Sequence, residues 1–455
     1  MELSNIERVY LIGIGGIGMS GLARYFHKRG CIVAGYDRTQ TDLTTSLINE
    51  GIPVTFEDNR EIIPVAFQQK DAGTLIIYTP AIPKDSILLN YFRNRGFEFK
   101  KRSEVLGIIS SGMFTVAVAG THGKTTTSSM IAHIFKNSGF DCSAFLGGIT
   151  ANYNSNFLFG DNNVVVVEAD EYDRSFLTLH PDIAVITSMD ADHLDIYGDK
   201  GHLEESFRLF ASQLKPEGKL IARQGLDLDK GLTYSASGPA DIRAENVRIE
   251  DGDFWFDFKN SEHHIKNIRL GIPGLHNVEN AVAAIEAALS VGISPEKIKT
   301  ALQEFRGVKR RFEYIIKTDA QVYIDDYAHH PEELRACITA VKSLYPEKKL
   351  TAIFQPHLFS RTRDFADGFA QSLSMVDELI MLDIYPAREL PIPGVTSDMI
   401  LEKMSISNKR KCGKKEAVEL VSREKPALLL TVGAGDIDTL VEPLKNALKN
   451  AHSHA

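Results

Sequence analysis

The chain has 455 residues, of which 43% are hydrophobic and 24% charged, and its formal net charge is -9. This length exceeds one ordinary domain, the balance is that of a soluble globular protein, and the acidic total excludes a broad basic surface for nucleic acid. Cys31, Cys142, Cys337 and Cys412 are scattered with no CxxC pair, which argues against a disulfide framework or a zinc ribbon. No run reaches the roughly 18 apolar residues of a membrane span, and the first eight residues lack the basic and apolar regions of a signal peptide. A cytoplasmic protein is expected, with no membrane or nucleic-acid partner.

An apolar strand, a glycine-rich turn and a helix start afresh three times. Strands alternating with helices predict an α/β chain of three domains, each a mostly parallel, doubly wound Rossmann-like sheet. The expected boundaries are 1–108, 109–306 and 307–455.

The first start is a strand over 9–12 running into Gly13-Ile14-Gly15-Gly16-Ile17-Gly18, with Asp37 at the end of a second strand over 31–36. Glycines at Gly13, Gly15, Gly16 and Gly18 let the backbone approach a diphosphate, and the N-terminus of the helix that follows stabilises its charge. NAD or FAD with Asp37 on a ribose fits this pattern. A UDP-sugar, also a ribonucleoside diphosphate, fits it equally, and a tight turn without a ligand is the bland reading.

The second start is a strand over 114–118 leading into Gly120-Thr121-His122-Gly123-Lys124-Thr125, with Thr126 and Thr127 behind it. Backbone N–H groups of such a loop cradle phosphates, Lys124 reaches the β and γ oxygens, and the Thr125 hydroxyl ligates Mg²⁺. Val118 stands where a strict Walker A loop has a small residue. Two buried-type strands follow, one ending in Glu168-Ala169-Asp170-Glu171 and one leading into Asp190-Ala191-Asp192-His193. Sites in open α/β sheets form at strand carboxyl ends, so Glu168 and His193 are the candidate metal ligands beside Thr125. A solvated carboxylate and a helix-capping neighbour are the bland alternatives for them. The third start is a strand over 322–324 followed by His329-His330-Pro331 and a helix to about Tyr345.

These motifs, with Gly274-Leu275-His276-Asn277-Val278-Glu279-Asn280 and Asp325-Asp326-Tyr327-Ala328-His329-His330-Pro331, resemble the Mur ligases of peptidoglycan synthesis. The likeness runs from about residue 9 to about residue 440. The opening glycine pattern, Gln355-Pro356-His357, Ser360-Arg361-Thr362-Arg363, Tyr385-Pro386-Ala387-Arg388-Glu389 and Gly433-Ala434-Gly435-Asp436 are most similar to the branch that adds L-alanine to UDP-N-acetylmuramate. The resemblance implies an ATP-dependent ligase using Mg²⁺ or Mn²⁺, acting as a monomer or weak homodimer.

It further implies roles for single residues. Gly120, Thr121, His122, Gly123, Lys124, Thr125 and Thr126 would hold the ATP phosphates, and Asn277 and Asn280 would read adenine. Arg311 would reach the transferring phosphate and Asp326 the ribose. Lys124, Glu168, His193 and Arg311 would be the catalytic set. Gly13, Gly15, Gly16, Ile17, Gly18 and Asp37 would bind the UDP-sugar, and His329, His357 and Arg361 the amino acid. Leu358 departs from relatives that carry a second arginine there. A ligase adding a recycled peptide to the same sugar nucleotide is the nearest rival. An NAD-dependent oxidoreductase explains only the first loop, and a silent nucleotide-binding sensor leaves Lys124, Glu168 and His193 without a task.

Overall fold

The computed structural model describes residues 3–190, 197, 199–250, 253–387 and 389–449. Its strands form three sheets, mostly parallel. The first comprises β1 (Arg8–Ile12), β2 (Ile32–Tyr36), β3 (Val54–Thr55), β4 (Thr74–Tyr78) and β5 (Glu98–Lys101), in the order β3-β2-β1-β4-β5. All of its pairings are parallel. The chain reverses its direction of winding at β1, and the glycine loop leaves the carboxyl end of that strand.

The second sheet has ten strands. They are β6 (Phe114–Ala119), β7 (Ser143–Thr150), β8 (Ser155–Leu158), β9 (Val164–Glu168), β10 (Ile183–Ile186), β11 (Lys219–Arg223), β12 (Leu232–Ser235), β13 (Ile242–Glu250), β14 (Asp253–Lys259) and β15 (His264–Leu270). Their order is β15-β14-β13-β12-β11-β10-β6-β9-β7-β8. β6 therefore lies between β9 and β10, and the turns leaving these three parallel strands emerge side by side. Val164 to Val167 are all buried, as strands covered on both faces require. The helix Lys124–Asn137 is buried from Thr125 to Phe135, which explains why its sequence carries no amphipathic stripe.

The third sheet comprises β16 (Glu313–Lys317), β17 (Val322–Asp326), β18 (Leu350–Phe354), β19 (Glu378–Met381), β20 (Lys409–Lys411) and β21 (Leu428–Val432). The order is β16-β17-β21-β18-β19-β20, antiparallel only at β16–β17.

The chain divides into two compact units, residues 1–245, 257–268 and 279–305 in one and residues 246–256, 269–278 and 306–455 in the other. Within the first unit the five-stranded sheet shares a core with the strands around β6. The β7–β8 hairpin packs on the helix Ile17–Lys28, where Tyr25 meets Phe145 at 5.7 Å and Phe145 meets Phe157 at 5.0 Å between ring centroids. Asn156 of β8 donates to the Ile17 carbonyl at 2.5 Å and accepts from the Arg24 guanidinium at 2.5 Å. Arg24 in turn is paired with Glu50 at 2.6 Å.

Gly35 in β2 is set by close packing rather than by backbone angle. A β-carbon there would stand 2.5 Å from the Leu11 carbonyl and 2.7 Å from Ile14 Cδ1. Gly35→Ala is expected to destabilise the first unit by about 1–3 kcal/mol, the usual effect of overpacking, seen as a lower denaturant midpoint. An unchanged midpoint would show that β1 and β2 can separate without cost.

Candidate active site

The turn after β1 is held from beneath. The Gly13 and Ile14 N–H groups donate to the Tyr36 carbonyl at 2.7 and 3.0 Å, and Gly13 has φ +89°. Asp37 Oδ2 accepts the Gly15 N–H at 2.8 Å, and its Oδ1 accepts the Thr39 N–H at 3.1 Å. Asp37 thus braces the glycine loop. Gly16 caps the helix that Ile17 opens. A β-carbon at Gly15 would lie 2.7 Å from Thr44, and one at Gly18 would lie 2.6 Å from the Arg102 guanidinium. Arg102 brings a cation to this loop. Its other contact is Asp170, at 3.3 Å.

The turn after β6 is built on residues that follow β10. Thr121 and Ser188 share a hydrogen bond of 2.8 Å, and the His122 N–H donates to Ser188 Oγ at 2.7 Å. Thr187 donates to the His122 carbonyl. Gly120 (φ +135°) and Gly123 (φ +84°) have left-handed backbones, and a β-carbon on Gly120 would meet Thr187 Oγ1. Only glycine fits both demands. Asn280 Oδ1 lies 2.9 Å from where a Gly123 β-carbon would stand, so this asparagine packs under the loop. Asn277 is turned instead to its own helix start, donating to the Pro273 carbonyl at 2.6 Å.

Lys124 begins the helix, and Thr125 and Thr126 are buried residues of its first turn. The Lys124 ammonium donates to the Gly120 carbonyl at 2.5 Å and meets Glu171 Oε1 at 2.9 Å and Oε2 at 2.8 Å. Burial works to lower its pKa, but the Glu171, Glu168 and Asp170 carboxylates outweigh burial and raise it. Lys124 therefore stays charged at neutral pH. Sequence reading quoted Glu171 and passed over it in favour of Glu168; the signal available was the acidic run itself.

Glu168 ends β9 in register with Val118 of β6, two residues before the loop. Its Oε2 accepts the Gly147 N–H at 2.9 Å, and a β-carbon on Gly147 would collide with the carboxylate. Oε1 makes no hydrogen bond to the described residues and is open to a cation. A hydroxyl and a carboxylate are hard oxygen donors and fit Mg²⁺. Asp190 donates its N–H to Thr121 Oγ1 at 3.1 Å. His193 lies outside the described residues. Among the described residues no group of three His, Cys, Asp or Glu forms a ready-made metal cluster.

The second unit gathers its own residues at the carboxyl ends of β17, β18 and β21. Arg310 reaches Asp325 at 3.3 Å, Asp438 at 3.4 Å and the Gly433 carbonyl at 2.7 Å. This fixes the backbone that presents Arg311, whose guanidinium lies over the Tyr327 ring at 5.7 Å. Asp326 accepts the Phe312 and Ala328 N–H groups at 2.6 and 2.7 Å. Burial, set against Arg311 and those two donors, pushes its carboxyl up to about 6. His329 and His357 stand edge to face at 6.1 Å, and His357 stacks on Tyr385 at 5.8 Å. Arg361 lies in the short helix Phe359–Asp364 that Leu358 introduces with φ +68°. In the same helix Arg363 donates to its neighbour Asp364 at 2.7 Å.

His276 has its imidazole pushed down to about 4, first by burial and then by the Arg311 charge. The folded pKa lies below the unfolded value, so this group's contribution to stability is intact above pH 6.5 and is lost as pH falls from there toward 4. His276→Gln is expected to flatten the loss of stability between pH 7.5 and 5 by roughly 1–2 kcal/mol. Denaturant titrations of both proteins at the two pH values read this out, and parallel losses would show that His276 is not held neutral.

Three family profiles match in succession: the Mur ligase family catalytic domain over residues 8–113, the Mur ligase middle domain over 118–288, and the Mur ligase glutamate ligase domain over 310–437. A curated UDP-N-acetylmuramate–L-alanine ligase of Flavobacterium psychrophilum is 51% identical over 448 residues, covering 98% of this chain and 99% of its own. The protein of the same name from Christiangramia forsetii is 50% identical over 447 residues, with the same coverage. A crystal structure of UDP-N-acetylmuramate–alanine ligase from Thermotoga maritima superposes with a TM-score of 0.82 at 26% identity, covering 98% of this chain and 99% of that one. A murein peptide ligase from Psychrobacter arcticus shares the fold, with a TM-score of 0.69 at 23% identity, over 98% of this chain and all of that one. The loops at the ends of β1, β6 and β17 thus sit in a frame that these proteins share along its whole length, and the chain belongs to the Mur ligase family.

Proposed function

We propose that the chain is an ATP-dependent amide-forming ligase that joins L-alanine to the lactyl carboxylate of UDP-N-acetylmuramate, releasing ADP and phosphate, in the synthesis of peptidoglycan precursors in the cytoplasm. The observation that carries this reading is identity of about half, over nearly the whole of both chains, to relatives bearing that activity as their name. No helix among the described residues is long and apolar enough to cross a membrane.

The chemistry follows from the poor reactivity of a carboxylate toward amines. The lactyl carboxylate attacks the γ-phosphorus of ATP, the β–γ bridging bond breaks, and an acyl phosphate and ADP form. The neutral amine of L-alanine then attacks the acyl carbon, phosphate leaves with the bonding pair, and the amine gives up a proton. Catalysis is positioning and charge neutralisation. The Gly120–Thr126 loop would wrap the phosphates, with Lys124 and Arg311 meeting the charge that develops as the phosphoryl group moves. Thr125, Glu168 and His193 would hold Mg²⁺, which supplies further neutralisation of the phosphate oxygens when bound. The glycine loop from Gly13 to Gly18 would take the UDP diphosphate. For the amino acid, a guanidinium captures an α-carboxylate by two parallel hydrogen bonds, the role assigned to Arg361 beside His329 and His357.

The rival that adds a recycled peptide draws its support from solved structures at 23% and 25% identity, against about half for the relatives named for L-alanine. ADP release in the presence of UDP-N-acetylmuramate should depend on L-alanine and not on added tripeptide; the reverse preference would install the rival. Lys124→Ala should lower kcat by about 10²–10³. Arg361→Ala should raise KM for L-alanine at least about tenfold while KM for ATP and the sugar nucleotide changes little. Steady-state kinetics decide both, and an unchanged KM for L-alanine in folded Arg361→Ala would remove that residue from the pocket.

A further inference from the structure

Resting on the ligase reading of the first glycine loop, we propose that Arg102 is a further binding residue for the sugar nucleotide, its guanidinium clasping the diphosphate on the Gly13–Gly18 loop. The side chain springs from the first residue of the helix Arg102–Ser111 and runs across Gly18. A β-carbon on Gly18 would stand 2.6 Å from Arg102 Nη1, 2.9 Å from its Cδ and 3.3 Å from its Cζ. The backbone of Gly18 is not left-handed, so its angles make no demand for glycine. In a dinucleotide fold the third glycine of such a loop admits close packing of helix on strand. Here it admits a cation.

A guanidinium carries five N–H donors in one plane. Arg102 gives one to Asp170, from Nη2 to Oδ2 at 3.3 Å, and makes no other hydrogen bond to the described residues. Nη1, the nitrogen lying on Gly18, therefore keeps its donors for an acceptor at the loop. The side chain is 21% exposed, which screens it partly from water while leaving it open to a ligand.

The stem of this side chain is fastened. Glu104 accepts the Lys101 N–H at 2.6 Å, and the Thr178 hydroxyl donates to the Ser103 carbonyl at 2.9 Å. A β-carbon on Gly107 would stand 2.7 Å from the Thr178 carbonyl, so the helix lies tight against the turn Tyr172–Thr178. The cation is held in place in advance, which lowers the cost of ordering it around a ligand. Position favours the diphosphate over the lactyl carboxylate. Nη1 stands on the loop assigned to the diphosphate, which brings more charge than one carboxylate and suits a planar fork.

Calorimetric titration of the whole chain with UDP-N-acetylmuramate tests this, beside UDP, which lacks the sugar and its lactyl carboxylate and is read by displacement. Arg102→Met is expected to weaken both ligands at least about tenfold, while KM for ATP changes little. Arg102→Lys keeps the charge without the planar fork and should fall between. Asp170→Asn removes the ion pair but keeps the cation, and should cost either ligand no more than about threefold. Gly18→Ala should push the flexible guanidinium aside and weaken both ligands; adding Arg102→Met to it should cost less than about threefold more. If Arg102 were only a brace between the two segments, Asp170→Asn would be as damaging as Arg102→Met, and that outcome overturns the proposal. A loss confined to UDP-N-acetylmuramate also overturns it, by moving the cation to the lactyl carboxylate, as does UDP that fails to displace the sugar nucleotide from wild-type chain. Should Arg102→Met not fold, unchanged affinity in both Arg102→Lys and Gly18→Ala counts against the proposal just as firmly. Wild-type chain that binds no UDP-N-acetylmuramate would sink the ligase reading itself, whereas binding indifferent to Arg102→Met sinks only the role of Arg102.

Discussion

A lysine ammonium taken out of water must be surrounded by acceptors, and the centre of this protein is organised by that requirement. Lys124 stands where a left-handed glycine turn becomes a helix, and its ammonium donates to one loop carbonyl and one buried carboxylate. The carboxylate has to arrive from another strand, so the turn that follows β9 must end beside the turn that follows β6. Parallel pairing of those strands, with Val118 opposite Glu168, delivers it there. β10 on the other flank supplies Thr187 and Ser188, whose hydroxyls satisfy the loop backbone from below. The strand order, the glycines and the acidic turn are consequences of one desolvated charge.

Much of this could be read in the amino-acid sequence because its determinants are local. Continuous apolar runs such as Val164 to Val167 mark strands covered on both faces, and glycines directly after a strand mark turns that need unusual backbone angles. Lys124 and Thr125 follow from position alone once the strand, loop and helix are recognised. Asp326, His329 and His357 stand at strand ends of the third sheet for the same reason.

What escaped the sequence depends on distance along the chain. Glu171 lies beyond the last residue of β9, where strand alternation no longer says which carboxylate turns inward. The brace from Asp37 to Gly15 joins positions 22 residues apart, and neither segment announces it. Asn156 meets Ile17 across 139 positions, and nothing in either segment announces the other.

That last contact bears on how such a chain can be altered by recombination. The hairpin carrying Asn156 lies at one edge of the ten-stranded sheet, yet its aromatic face completes the packing of the first glycine-loop helix. The amino-terminal sheet is consequently not an interchangeable cassette. Exchanging it between relatives at a crossover within the helix Arg102–Ser111 would carry away Tyr25 and Arg24 and leave Phe145 and Asn156 behind, so the inherited unit is the sheet together with the hairpin of Ser143–Thr150 and Ser155–Leu158.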